Sequence, residues 1–226
     1  MDFSFFDKFN TAKNEQTDTW FKGLDRVYNN FVYDYLYPNP ASVLAFIENH
    51  DTDRFLGEGE NLDMLKQAST LLLTTRRIPQ LYYGTEVMMN GVKSKSDGYV
   101  RKDFPGGWTD DKENALTPEG RTRLQNESYN FYRNLLNWRK GNDVIAKGSM
   151  KQFMVQHGVY AYARQYKGKT VFVLLNGTDK EVKLPLKYYA EVLKDKTQGK
   201  DVISGKVTAL NEELTMAPRQ SMVIEL

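Results

Sequence analysis

The chain reads as an α/β part followed by an all-β part, with the change near Asn142. Two observations predict the first part. Val43–Ile47 and Ile78–Tyr83 stay apolar at consecutive positions, as strands buried on both faces of a parallel sheet do. Between such runs lie stretches with apolar residues at helical spacing. A third observation predicts the second part: beyond Asn142 come short alternating strands set off by turn residues, as in Val171, Val173 and Leu175 against Phe172 and Leu174.

Taken in order, Met1 to Phe9 predicts a short apolar strand, and a polar stretch leads to Thr17. Thr17 or Asp18 can cap a helix whose Trp20, Leu24, Val27, Phe31 and Tyr35 share one face and which Pro38 and Pro40 end. The strand Val43–Ile47 precedes a helix from about Asn61 to Thr75 that carries Leu62, Leu65, Leu72 and Leu73. Ile78 to Gly84 predicts a second buried strand, with Pro79 placed where no ladder donor is lost. Glu86 to Leu116 reads as a long loop, of the length that is functional or disordered in compact domains. Thr117-Pro118 predicts the capped start of a helix to about Lys140, with Tyr129, Tyr132, Leu135, Leu136 and Trp138 inward.

Successive strand-then-helix units imply a parallel sheet with right-handed crossovers. Three units cannot close a (β/α)8 TIM barrel, which takes eight and about 250 residues. Residues 1–142 therefore read as the last part of such a barrel, with open strand edges that favour association. Residues 143–226 read as an antiparallel β-sandwich. Its expected strands are Met150–Val155, Val159–Tyr166, Thr170–Leu175, Val182–Leu184, a segment near Tyr188–Leu193, Val202–Ile203, Val207–Leu210, Leu214–Met216 and Ser221–Leu226.

Composition removes several classes of function. Lys plus Arg number 31 against 29 Asp plus Glu, without runs of one sign, so neither nucleic acid nor an anionic membrane is favoured as partner. No cysteine is present, which excludes disulfides and thiolate metal sites. With two histidines and no clustered acidic loop, no metal site and no cofactor are called for. The N-terminus lacks a basic, long-apolar leader pattern, and no apolar stretch approaches the ~20 residues of a membrane span.

The chemistry concentrates behind Val43–Ile47. Phe46 to Phe55 holds five ionisable side chains, and Asn49, His50 and Asp51 stand together at the carboxyl end of a buried strand, where α/β barrels bind ligand. One carboxylate can accept from two vicinal sugar hydroxyls while an imidazole donates to one of them. Arg54 is close enough in sequence to orient that carboxylate, or else to serve a backbone carbonyl. His157 beside Gly158 reads as turn chemistry.

These residues carry a resemblance. Phe46-Ile47-Glu48-Asn49-His50-Asp51-Thr52-Asp53-Arg54-Phe55 is similar to the NHD-containing region after barrel strand seven of the α-amylase superfamily of glycoside hydrolases. Ile78-Pro79-Gln80-Leu81-Tyr82-Tyr83-Gly84-Thr85-Glu86 resembles its strand eight, and Arg101-Lys102-Asp103-Phe104-Pro105-Gly106-Gly107-Trp108 resembles the following loop of neopullulanases and cyclomaltodextrinases. Met1-Asp2-Phe3 resembles strand six, and Arg77 stands where the family generally has glycine.

The resemblance implies a C-terminal fragment of a retaining enzyme that cleaves α-1,4 bonds, with α-1,6 bonds as an extension, in starch-type glucans, pullulan or cyclodextrins. It implies Asp51 as the transition-state stabiliser and His50 as its partner on the same sugar, with Asn49, Glu86, Arg101 and Trp108 as substrate-binding candidates. Glu86 divides evenly between barrel-mouth hydrogen bonding and sugar contact, and Trp108 between stacking and anchoring its own loop. The family's nucleophile and general acid follow strands four and five, which have no counterpart here, so the isolated chain is expected to be inactive. The expected partners are α-glucan oligosaccharides, together with a second copy of the chain or a complementing N-terminal barrel half. A rival from another class is a non-catalytic glucan-binding or assembly module. For the parent, a periplasmic or secreted location is preferred to a cytoplasmic one, although composition leaves the compartment open.

Overall fold

The computed structural model describes residues 1–15 and 20–226. Its first element is a helix, α1 (Phe3–Ala12), where the sequence predicts a strand. An apolar run this short fits either period, and tertiary burial decides: Phe5, Phe9 and Ala12 share one helical face and are buried. Asp2 caps the helix, its carboxylate accepting the Phe5 N–H at 2.8 Å. Only Asp2 keeps a strand-like contact, its N–H donating to the Leu44 carbonyl at 2.7 Å. The expected caps Thr17 and Asp18 lie outside the described residues, and α2 occupies Asp25–Val32, with a 3-10 turn at Tyr33–Leu36. Leu24, Val27 and Phe31 are buried as expected, whereas Trp20 and Tyr35 are exposed.

β1 (Leu44–Ala45) and β2 (Ile78–Pro79) pair in parallel, joined by α3 (Leu62–Thr74), for which Asn61 is the cap. The N–H groups of Ile78 and Gln80 donate to Val43 and Ala45, so Pro79 occupies the intervening position, where no donor is needed. Both strands are shorter than their apolar runs, although Phe46 and Ile47 stay buried beyond β1. Arg77 is buried, its guanidinium bonded to Asp2 at 3.0 Å, to Asp34 and to the Pro40 carbonyl. It thus ties the α1 cap to the 3-10 turn after α2.

The long loop contains a short helix, α4 (Asp97–Val100). α5 (Arg123–Lys140) starts later than Thr117-Pro118 predicts, because Thr122 and Gln125 form a reciprocal capping box. Tyr132 and Leu135 point into the core, Tyr129 and Trp138 are half-buried, and Leu136 is exposed.

After α6 (Asp143–Lys147) come β3 (Ser149–Gln156), β4 (Val159–Tyr166), β5 (Lys169–Asn176) and β6 (Val182–Pro185). A 3-10 turn at Leu186–Tyr189 and α7 (Ala190–Leu193) replace the strand expected near Tyr188–Leu193, since Leu186, Tyr189, Val192 and Leu193 bury at helical spacing. β7 is Gln198–Asp201, so Val202–Ile203 falls in the turn beyond it; β8 (Val207–Ala209), β9 (Glu213–Met216) and β10 (Ser221–Glu225) complete the chain. A sheet of order β3-β4-β5-β10-β7-β8 faces the two-stranded sheet β6-β9.

Both faces of the larger sheet are covered. Val171, Val173, Leu175, Tyr160, Tyr162 and Val223 join the core built by α1, α2, α3 and α5. Phe172, Leu174, Ala161, Ala163 and Ile224 pack instead with Leu184, Leu214, Met216 and Tyr189. Buried polar groups stitch the layers: Arg164 donates to the Thr74 and Ile145 carbonyls at 2.8 Å, and the Gln67 amide to the Asn176 carbonyl at 2.7 Å. A charged donor removed from such a site would leave its acceptors desolvated and unpaired.

Candidate functional site

Beyond β1 the chain turns at Glu48, whose carboxylate is 2% exposed. It accepts from the Phe55 N–H, the Thr85 hydroxyl and, at 3.2 Å, the Arg54 guanidinium. Burial raises its pKa above the ordinary carboxylate value, against the opposing pull of those three donors. Arg54, 1% exposed, also donates to the carbonyls of Tyr83 at 2.7 Å and Val100 at 3.1 Å and lies over the Tyr82 ring. Arg54 therefore does not orient Asp51, contrary to the reading from sequence proximity. It serves backbone carbonyls, the other expected role, and joins the β1 tip to the β2 tip.

Asn49 is also turned inward, being 3% exposed. Its side-chain oxygen accepts the Asp51 N–H at 2.8 Å and its own N–H donates to the Thr52 hydroxyl at 3.0 Å. This tight turn ejects the next two side chains. His50 and Asp51 emerge with side chains 60% and 58% exposed, and His50 Nε2 lies 3.2 Å from Asp51 Oδ2. The other carboxylate oxygen, Oδ1, accepts from Arg101 Nη2 at 2.9 Å. Arg101 Nε donates to the His50 carbonyl at 2.9 Å, so the guanidinium fixes both backbone and side chain of the pair.

Two further residues belong to this cluster. Asp97 accepts from Arg101 Nη2 at 3.2 Å, and Lys93 Nζ donates to the Asp51 carbonyl at 3.1 Å while lying 3.6 Å from Asp97. The i, i+4 spacing of Asp97 and Arg101 was a usable signal for the first; nothing local marked Lys93. The result is an exposed carboxylate with imidazole on one side and guanidinium on the other, able to exchange these partners for vicinal hydroxyls.

Glu86 lies elsewhere. It sits in the 3-10 turn Thr85–Val87 and lines a cavity of about 360 Å³ with Leu81, Tyr129, Arg133 and Leu136 beside α5. Among the described residues it forms no hydrogen bond or ion pair with the Asp51 cluster. Trp108 is 64% exposed on a loop whose closure is set by Asp111, which accepts from the N–H groups of Gly106 at 2.7 Å and Trp108 at 3.1 Å. Gly106 is needed there: its φ is +97°, and a Cβ would meet the Asn114 side chain. Among the described residues no cluster of His, Asp or Glu is arranged to hold a metal ion, and no helix is long and apolar enough to cross a membrane.

Residues 150–225 match the family model of the cyclo-malto-dextrinase C-terminal domain. An α-amylase of Niallia circulans is 29% identical over 219 residues, spanning 93% of this chain and 38% of its own length. A cyclomaltodextrin glucanotransferase of Thermoanaerobacterium thermosulfurigenes is 32% identical over 176 residues, spanning 78% of this chain and 22% of its own length. The chain thus spans well under half of these curated relatives. Among solved structures, the Geobacillus thermoleovorans α-amylase complexed with acarbose aligns with 100% of this chain and 47% of its own, at a TM-score of 0.77 and 19% identity. An Anoxybacillus α-amylase gives 100%, 46%, 0.76 and 19%. The fold is shared with both.

Proposed function

Since residues 150–225 belong with the cyclo-malto-dextrinase C-terminal domains and the chain is kin to α-amylases and cyclomaltodextrin glucanotransferases, we propose that it is the C-terminal part of an enzyme acting on starch-type α-glucans. The observation that carries this reading is the exposed Asp51 carboxylate held between His50 and Arg101 at the tip of β1. Asp51 would accept the 2- and 3-hydroxyls of the sugar at the cleavage point, and His50 would bond to the same ring. Hydrogen bonds to the 2-hydroxyl strengthen as the ring becomes oxocarbenium-like, so a carboxylate placed there favours the transition state over the bound sugar. Arg101 and Trp108 would extend the contact along the glucan, with Asn49 as scaffold, and Glu86 at a separate subsite. In this reading the parallel pair β1–β2, with Asp2 alongside, is the last part of a TIM barrel.

Retaining hydrolysis needs two carboxyl groups about 5–5.5 Å apart, one a nucleophile and one protonated as general acid. Asp51 and Asp97 share the Arg101 guanidinium, which each meets with a single carboxylate oxygen. Glu86 faces a different cavity. We therefore assign sugar positioning to this chain and the cleavage chemistry, by a retaining mechanism, to an intact parent, the isolated chain being inactive. The experiment is paired: reducing-sugar release from starch, pullulan and cyclodextrin, and maltoheptaose binding, each with Asp51→Asn. Binding that weakens in the variant without turnover supports the reading; turnover removed by Asp51→Asn refutes the assignment of inactivity.

A second reading has its own observation. Phe3, Ile78 and Leu81 are exposed beside the β1–β2 pair, whose outer edges meet no further β-strand among the described residues. A binding or assembly module that pairs these edges with a second copy or a complementary chain would use the same surface without catalysis.

A further inference from the structure

A second polar-aromatic site lies on the far part of the fold. Trp138 near the end of α5, Asn142 before α6, Tyr166 and Lys169 flanking the β4–β5 turn, and Glu225 at the end of β10 line a groove of about 650 Å³. None of these elements carries a residue of the Asp51 cluster. The indole N–H of Trp138 donates to Glu225 Oε1 at 2.8 Å, and the Asn142 amide reaches the same oxygen at 3.5 Å. The indole is therefore held by its edge, leaving the ring to be used by its face. Trp138 and Tyr166 are half-buried, packed against the main core on one side and bordering the groove on the other.

The charges round the groove are mixed. Glu225 and Asp143 contribute carboxylates, the latter paired with Lys147 at 2.9 Å, and Lys167 and Lys169 contribute ammonium groups. Both signs are therefore present, with the Lys167 ammonium 5.4 Å from the Tyr166 ring centroid, and neither an anion nor a cation is selected by sign. Fixed aromatic surface, a planar amide and both kinds of hydrogen-bonding group in one concavity suit a neutral polyhydroxylated ligand, which presents C–H faces to rings and hydroxyls to polar edges. We infer that this groove is a second, non-catalytic glucan-binding site, independent of Asp51. The choice of glucan among polyols rests on the function proposed above.

The test is a titration of the full chain with maltoheptaose followed by the Trp138 indole N–H resonance, assigned by its disappearance in Trp138→Phe. The expected result is a saturating shift with a millimolar midpoint, retained in Asp51→Asn and weakened severalfold in Tyr166→Ala. Tyr166→Phe, which keeps the ring and packing, is expected to bind as the wild type does, separating loss of the ring from loss of the fold. No shift at saturating maltoheptaose, or a shift abolished by Asp51→Asn, overturns the inference. If the Trp138 signal responds while His50 and Asp51 do not, the groove stands and the proposed role of Asp51 fails.

Discussion

Arg101 Nη2 lies 2.9 Å from Asp51 Oδ1 and 3.2 Å from Asp97 Oδ2, so one guanidinium group holds two exposed carboxylates apart from each other's repulsion. Such exposed ion pairs contribute only about 0–1 kcal/mol. Arg101→Ala should therefore change the midpoint of chemical unfolding little. Its effect falls on the site: without the guanidinium, Asp51 loses its orientation, and only the Lys93 ammonium remains between it and Asp97. Maltoheptaose affinity is expected to drop by about tenfold, a cost of roughly 1.4 kcal/mol, and calorimetric titration checks it.

The opposite balance holds for Arg54, itself 1% exposed and paired with the buried Glu48 carboxylate. Removing one member of a buried pair leaves an unpaired charge and costs about 3–5 kcal/mol. Arg54→Met should lower stability by an amount of that order in urea unfolding, whereas the double change Arg54→Met with Glu48→Gln should recover part of it. An Arg54→Met protein as stable as the wild type would remove Arg54 from its role as the tie between the two strand tips.

How far such roles can be read from sequence depends on where the partners lie. The β1 tip, α3 and the strands β3, β4, β5 and β10 of the larger sheet were legible, because Val43–Ile47, the Leu62–Leu73 spacing and the alternation through Val171–Leu175 each express one period strongly, whereas β7 lies before the expected Val202–Ile203. Met1–Phe9 was not, since an apolar run of that length fits both periods until Phe5 and Phe9 find a core. Thr117-Pro118 lost to Thr122 because only the latter has a reciprocating Gln125. Arg54 misled for a different reason: its partners Tyr83 and Val100 are 29 and 46 residues away and invisible to local pattern. His50, Asp51 and Arg101 were named from sequence and come together, while Glu86 faces a separate cavity and Lys93 went unseen.

Lys13 makes stability depend on pH. Burial is the main cause that brings its pKa down from 10.5 to about 8, against the attraction of Glu48 and Asp53, and its ammonium donates to the Phe55 carbonyl and to Asn10. Between those two values the unfolded chain holds the proton more tightly than the folded one, so this group's contribution to stability rises with pH, by up to about 1.4 kcal/mol per unit. Urea unfolding at pH values between about 8 and 10 should show wild type gaining stability relative to Lys13→Met as pH rises. A difference that is flat or falls across this window refutes the assignment.

In an intact parent, Asp51→Asn is expected to lower kcat and kcat/KM together, by roughly 10²-fold or more, as loss of a group acting in the transition state does. A change confined to KM would make Asp51 a ground-state ligand instead.

The central claim, that His50 and Asp51 form a sugar-binding pair at the tip of β1, is tested most directly on the chain itself by following the His50 ring resonances during titration with maltoheptaose. A saturable shift is expected that Asp51→Asn weakens by about tenfold or more, with no reducing sugar released. Resonances that stay in place at saturating glucan, or a shift unchanged in Asp51→Asn, would contradict it.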